Sequence, residues 1–263
     1  MSEQSGEPKG ADREVSTRGR VTIGGAPISY VALFAAALGI TALIPFSIMT
    51  TGKAFPVSEL LIALTGIVLG PVGGFVAGLV GGVIGLAIAP YTAPNGVLSP
   101  ITPALGAMAI GFLMQRNSKK WWGVVILVAA LLVFHFKGVV INKVDPAYWL
   151  FLAVGVAWVS LILAVTPLTT LFSNWLRSAN LGMVTVGLVF ATFMGTSTAM
   201  MVNNGLGIWL HEVPNDIWPI FPPIVTGERL IITVAGTILG VAIIAGLRRL
   251  RLVRPTEGAW YQD

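Results

Sequence analysis

Polar and apolar residues are segregated into blocks along this chain. A polar stretch, 1–27, is followed by apolar runs over roughly 28–48, 58–70, 73–89, 101–115, 121–141, 148–172, 181–203 and 224–247. Short segments rich in Pro, Gly, Asn and charge separate them. A hydrocarbon core of about 30 Å takes about 20 apolar residues at about 1.5 Å of helical rise each. Several runs reach or approach that length. A membrane barrel would instead show alternating polarity in segments of about ten residues, and this chain does not. The pattern predicts about eight transmembrane helices in an all-α polytopic bundle.

One run fixes the direction of all that follow. Ser58-Glu59 opens LLIALTGIVLGPVGGFVAGLVGGVIGLAIAP, which carries no charge and is too long for one ordinary crossing. Gly70-Pro71 breaks it, since proline lacks a donor for an interior helix bond and glycine accepts the angles of a helix end. The run therefore predicts two short helices folded back on each other. With that reversal, only Lys53, Lys137, Lys143 and Arg229 of the 16 lysines and arginines fall outside, as cytoplasmic enrichment of basic residues requires. A single crossing would invert every later segment and lose that bias. The expected topology is a multi-pass plasma-membrane protein with both termini cytoplasmic. The short spans 58–70 and 101–115 leave room for a pocket opening outwards.

Composition narrows the picture. A hydrophobic fraction of 55% with 10% charged residues excludes a water-soluble domain with a polar surface. The absence of cysteine removes disulfides, thiolate catalysis and Cys-ligated metal sites. The net charge of +5 sits at span ends, the mark of membrane orientation, so no nucleic-acid partner is expected. No apolar stretch with a cleavage site precedes the first span, so no signal peptide is expected. Residues 1–27 are expected to form a disordered cytoplasmic tail, 28–247 the membrane domain, and 248–263 a basic cytoplasmic tail.

Motifs for chemistry are few. There is no GxxxxGK[ST] loop, so the chain does not power transport itself, and there is no HExxH or GxSxG. His135 and His211 lie far apart, against a zinc site. Ser197, within Gly195-Thr196-Ser197-Thr198, is the one tempting nucleophile, but hydroxyls in membrane helices commonly bond back to the backbone. No enzyme, cofactor or metal is expected.

The polar residues of the outer side are the candidate ligand groups, because charge at a membrane domain is costly and tends to be functional. They are Lys53, Glu59, Tyr91, Asn95, Asn203, Asn204, Glu228 and Arg229, with Trp209 and Trp218 as flat faces. Lys143, Asp145, His211, Glu212 and Asp216 share that side. Each has a plainer role open to it. Glu228-Arg229 equally makes an ion pair or anchor, Asn203-Asn204 a helix cap, and the tryptophans an interfacial belt. Lys137, beside His135, can snorkel outwards. The 204–223 segment is long for a connection and fits a lid. Small-residue stripes at Gly74, Gly78 and Gly82, and at Ala32 and Ala36, allow close helix approach.

Taken in order, these features resemble the substrate-binding S component of an energy-coupling factor (ECF) transporter. The resemblance rests on Ala32-xxx-Ala36 in the first helix, Leu69-Gly70-Pro71-Val72-Gly73 at the turn and the glycine-rich third helix. It continues through Pro103-Ala104-Leu105-Gly106 to Gly111 and Arg116, and ends at Pro222-Pro223 with Glu228-Arg229. It is good over 28–120 and weaker over 181–250. The resemblance implies a six-helix bundle, to which 121–172 adds an inserted helical hairpin. It implies capture of a water-soluble vitamin or related micronutrient, with a coupling subunit and two ATPases as partners, and docking of the coupling subunit on Ala32 and Ala36. Two other readings compete: a rod-shape-determining-type scaffold of the same fold, and a stand-alone secondary transporter, for which inverted repeats would be expected. The residues do not specify the solute.

Overall fold

The computed structural model describes residues 21–48 and 54–249. Helices follow the apolar runs: α1 (Ile28–Thr41), α2 (Glu59–Ile88), α3 (Ile101–Leu113), α4 (Trp121–His135), α5 (Tyr148–Ala153), α6 (Gly155–Val165), α7 (Leu168–Leu176), α8 (Leu181–Leu210) and α9 (Phe221–Arg249). Two small antiparallel ladders accompany them, β1 (Thr22–Ile23) with β2 (Ala26–Pro27) and β3 (Pro45–Ile48) with β4 (Ala54–Pro56). Five helical stretches are long and apolar enough to cross a membrane, or six if α6 and α7 make one bent span. This is an all-α multi-pass membrane protein.

α2 is two helical arms that meet without a gap at Gly70. Gly70 takes φ 73°, ψ −179°, a combination that costs any residue with a Cβ. A methyl on Gly74 would lie 3.1 Å from the Cα of Gly66. Residues eight apart in a straight helix are separated by about 12 Å, so the chain doubles back at Gly70, with one arm over 59–69 and the other over 71–88.

α3 wedges between the two arms. A methyl on Gly111 would meet the Pro71 nitrogen at 2.7 Å, one on Gly78 the Pro103 oxygen at 2.6 Å, and one on Gly82 the Pro100 Cα at 2.7 Å. The glycine stripe is thus used inside the chain, where small residues let backbones touch without a hydrophobic drive from lipid. α1 lies along the second arm, with Gly81 against Ala35 and Gly39 against Ile84.

Cross-links define two ends of the bundle. At the end of Gly70-Pro71, the Ser173 hydroxyl donates to the Met114 carbonyl (2.6 Å) and Arg248 Nη2 donates to the Ser178 carbonyl (2.7 Å). Arg116, Lys119, Lys120, Arg177 and Arg249 lie near these links in sequence, so this is the basic end. At the opposite end the Tyr91 hydroxyl donates to the Leu43 carbonyl (2.6 Å), and the Asn95 amide donates to Asn203.

Several elements differ from the expected runs. α1 stops at Thr41, and β3 replaces the end of the expected 28–48 helix, because Pro45 cannot extend a helix. Residues 21–27, expected in the tail, form the β1–β2 ladder around a Gly24-Gly25 turn with φ 59° and 89°, suited to a tight hairpin. The 148–172 run is broken twice. Val154 separates α5 from α6, and Thr166 is extended before Pro167, so α6 and α7 meet at 85°, as the residue before proline favours. α8 runs on to Leu210, so Asn203-Asn204 lie inside a helix and do not end it.

Candidate functional site

Two adjoining cavities occupy the end opposite the basic residues. The segment 89–100, between α2 and α3, turns across that end in two short 3-10 turns and presents Asn95 towards α8. Asn95 Nδ2 donates to the Asn203 carbonyl (3.0 Å) and to Asn203 Oδ1 (2.9 Å). Asn203 lines both cavities, so this amide pair forms part of the wall between them.

The first cavity holds about 60 Å³ between α1, β4, α2 and α3. Its walls include Phe55, Glu59, Ile62, Thr92, Thr102 and Asn203. The Thr102 hydroxyl is buried and has no partner among the described residues. Glu59 stands in the first turn of α2, where the helix dipole favours an acid. Its Oε2 accepts from Arg229 Nη1 at 2.6 Å. Arg229 reaches it from the third turn of α9, also donates to the Thr196 carbonyl (3.3 Å), and lies 5.6 Å from the centre of the Phe55 ring. The guanidinium is fully buried. Its Nε and Nη2 have no acceptor among the described residues. A buried charge needs such a partner, since desolvation of either ion alone costs several kcal/mol.

The second cavity is larger, about 200 Å³, between α4, α5, α8, α9 and the 211–220 loop. Phe134, Trp218 and Phe221 supply aromatic wall, with Trp218 edge-on to Phe134 at 6.0 Å and tilted on Phe221 at 5.5 Å. Asn95, Asn203, Asn204 and His211 supply polar groups. His211 Nε2 faces the Pro94 carbonyl at 3.0 Å. Trp218 is 2% exposed and its indole N–H has no acceptor among the described residues.

The expected site residues fall into three groups. Glu59, Asn95, Asn203, Asn204 and Trp218 line the cavities, and Arg229 backs Glu59. Tyr91, Trp209 and Glu228 line neither. Tyr91 ties the 89–100 segment to Leu43, just past α1, and Trp209 donates to the Val133 carbonyl (3.3 Å) under Lys137, 5.0 Å from its ring. Lys53 lies outside the described residues. Ala32 and Ala36 are exposed on α1, beside Leu33 and Ile40. Phe55, Thr102, Phe134 and Phe221 join the site without any sequence signal, being apolar or isolated hydroxyl residues in apolar runs. Among the described residues no three histidine or acidic side chains come together to hold a metal.

No family model matches the chain, and neither a curated protein nor a solved structure does. The functional reading therefore rests on the residues and their geometry.

Proposed function

We propose that this chain is the solute-capture subunit of a micronutrient uptake system of the ECF type. It sits in the plasma membrane with eight crossings, both termini and the Gly70-Pro71 turn in the cytoplasm, and the two cavities facing out. The carrying observation is the pair of adjoining, partly polar cavities at the end away from the basic residues. Basic side chains mark the cytoplasmic face, so the cavities open where scarce solutes arrive. A small concave site with a few directional polar groups in an apolar wall is what small-molecule recognition needs.

The exposed Ala32 and Ala36 face of α1 serves the coupling subunit, because small side chains let a partner helix approach closely. With no nucleotide loop of its own, the chain delivers solute only when docked on that subunit and its two ATPases. Native mass spectrometry of the detergent-purified chain tests the reading. A co-purifying small molecule, displaced on heating, is the expected result. A chain that never retains a solute, at any growth condition, contradicts it.

A further inference from the structure

The second cavity has a chemistry of its own. Among the described residues no Asp, Glu, Lys or Arg lines it, and the nearby carboxylate, Glu59, is already neutralised by Arg229. A charged solute entering it would lose its hydration shell with no counter-ion in the walls, a cost of several kcal/mol per ion. The walls do offer directional neutral groups. The Asn204 side-chain amide lines the cavity and can both donate and accept. Asn95 spends its amide hydrogens on Asn203, which leaves Asn95 Oδ1 as an acceptor. That oxygen lies 3.4 Å from where a methyl on Gly207 would stand, and Gly207 is itself a wall residue. The glycine keeps open the space beside the acceptor. In the neutral ring, His211 places its Nε2 proton on the Pro94 carbonyl, leaving Nδ1 as a second acceptor.

Size adds a limit. An apolar protein cavity of about 150 Å³ holds one benzene ring, so about 200 Å³ takes one ring or a compact fused pair. Three aromatic side chains give it flat walls, on which a π-system stacks. From these features we infer that the second cavity binds an uncharged, one- or two-ring nitrogen heteroaromatic that carries both an amide-type carbonyl and an N–H. The carbonyl meets the Asn204 amide and the N–H meets Asn95 or His211. The inference rests on the solute-capture reading and narrows it.

The test uses the full chain in lipid nanodiscs, with nicotinamide and hypoxanthine as probes and nicotinate as the charged isostere of the first. Binding is followed by saturation-transfer NMR and titration. Saturable binding of an uncharged probe is expected, with nicotinate at least about tenfold weaker. One lost neutral hydrogen bond should weaken binding about tenfold in Asn204→Ala. Gly207→Leu should abolish it by filling the space beside Asn95, at a position where the added carbon meets no other atom within 4 Å. Nicotinate binding as tightly as nicotinamide, or full binding in Gly207→Leu, overturns the inference. A charged metabolite co-purifying with the wild-type chain also overturns it while leaving solute capture standing. Failure of the chain to bind any probe or retain any solute removes both.

Discussion

At the scale of single residues, Glu59 and Arg229 stand apart. They are 170 positions apart in sequence and 2.6 Å apart in space, and both are buried. Removing one partner strands the other charge, which typically costs about 3–5 kcal/mol, whereas replacing both with apolar residues is often neutral. Glu59→Ala or Arg229→Ala alone should therefore abolish a cooperative thermal transition in detergent, and Glu59→Leu with Arg229→Met should restore most of it. Equal damage from the double and single variants would mean that the pair holds more than itself. Sequence alone marks both residues as outer polar candidates. Their pairing was hidden because nothing in a single chain reports which distant residues meet.

At the scale of elements, the reversal at Gly70 and the glycine stripe carry the architecture. Gly70→Ala forces a side chain into a backbone region nearly reserved for glycine and should destabilise by about 1–3 kcal/mol. Gly78→Leu drives bulk into the Pro103 carbonyl and should cost at least as much. Gly246→Ala is the control. Its added methyl meets no neighbour within 4 Å among the described residues, and a helix gains up to about 1 kcal/mol from the exchange. Chemical unfolding of the three variants in one detergent ranks them. The helical runs and the Gly-Pro break were legible because apolar blocks and backbone limits act locally. The Asn203-Asn204 dipeptide misled for the opposite reason. Its polarity imitates a helix end, but Asn95 from another segment satisfies Asn203, and α8 continues to Leu210. The breaks at Val154 and Thr166 were masked by the even hydropathy of the 148–172 run, although Pro167 marked the second.

At the scale of the whole molecule, topology and docking become testable. The chain lacks cysteine, so single cysteines can be introduced without a background. A cysteine at position 96 should react with a membrane-impermeant maleimide in intact cells, and one at 118 only after permeabilisation. The reverse pattern would invert the bundle and close the proposed route. Replacing Ala32 and Ala36 with leucine should abolish uptake while solute binding persists, because both side chains are exposed and neither touches a cavity. Loss of binding with intact uptake partners would place these residues elsewhere in the mechanism.

The folded-back α2 has an electrical consequence. Its first arm rises only about 16.5 Å, against a hydrocarbon slab of about 30 Å, and Glu59 stands at its top. In the proposed orientation, water reaching that point would make the transmembrane voltage fall across a thinner septum, with a local field roughly 1.8-fold steeper. Moving one elementary charge through the full drop takes about 2.3 kcal/mol per 100 mV, but a neutral passenger does no such work. For the uncharged solute inferred above, uptake into proteoliposomes that hold the whole ATP-driven complex should accordingly proceed at the same rate whether or not a potassium diffusion potential is imposed.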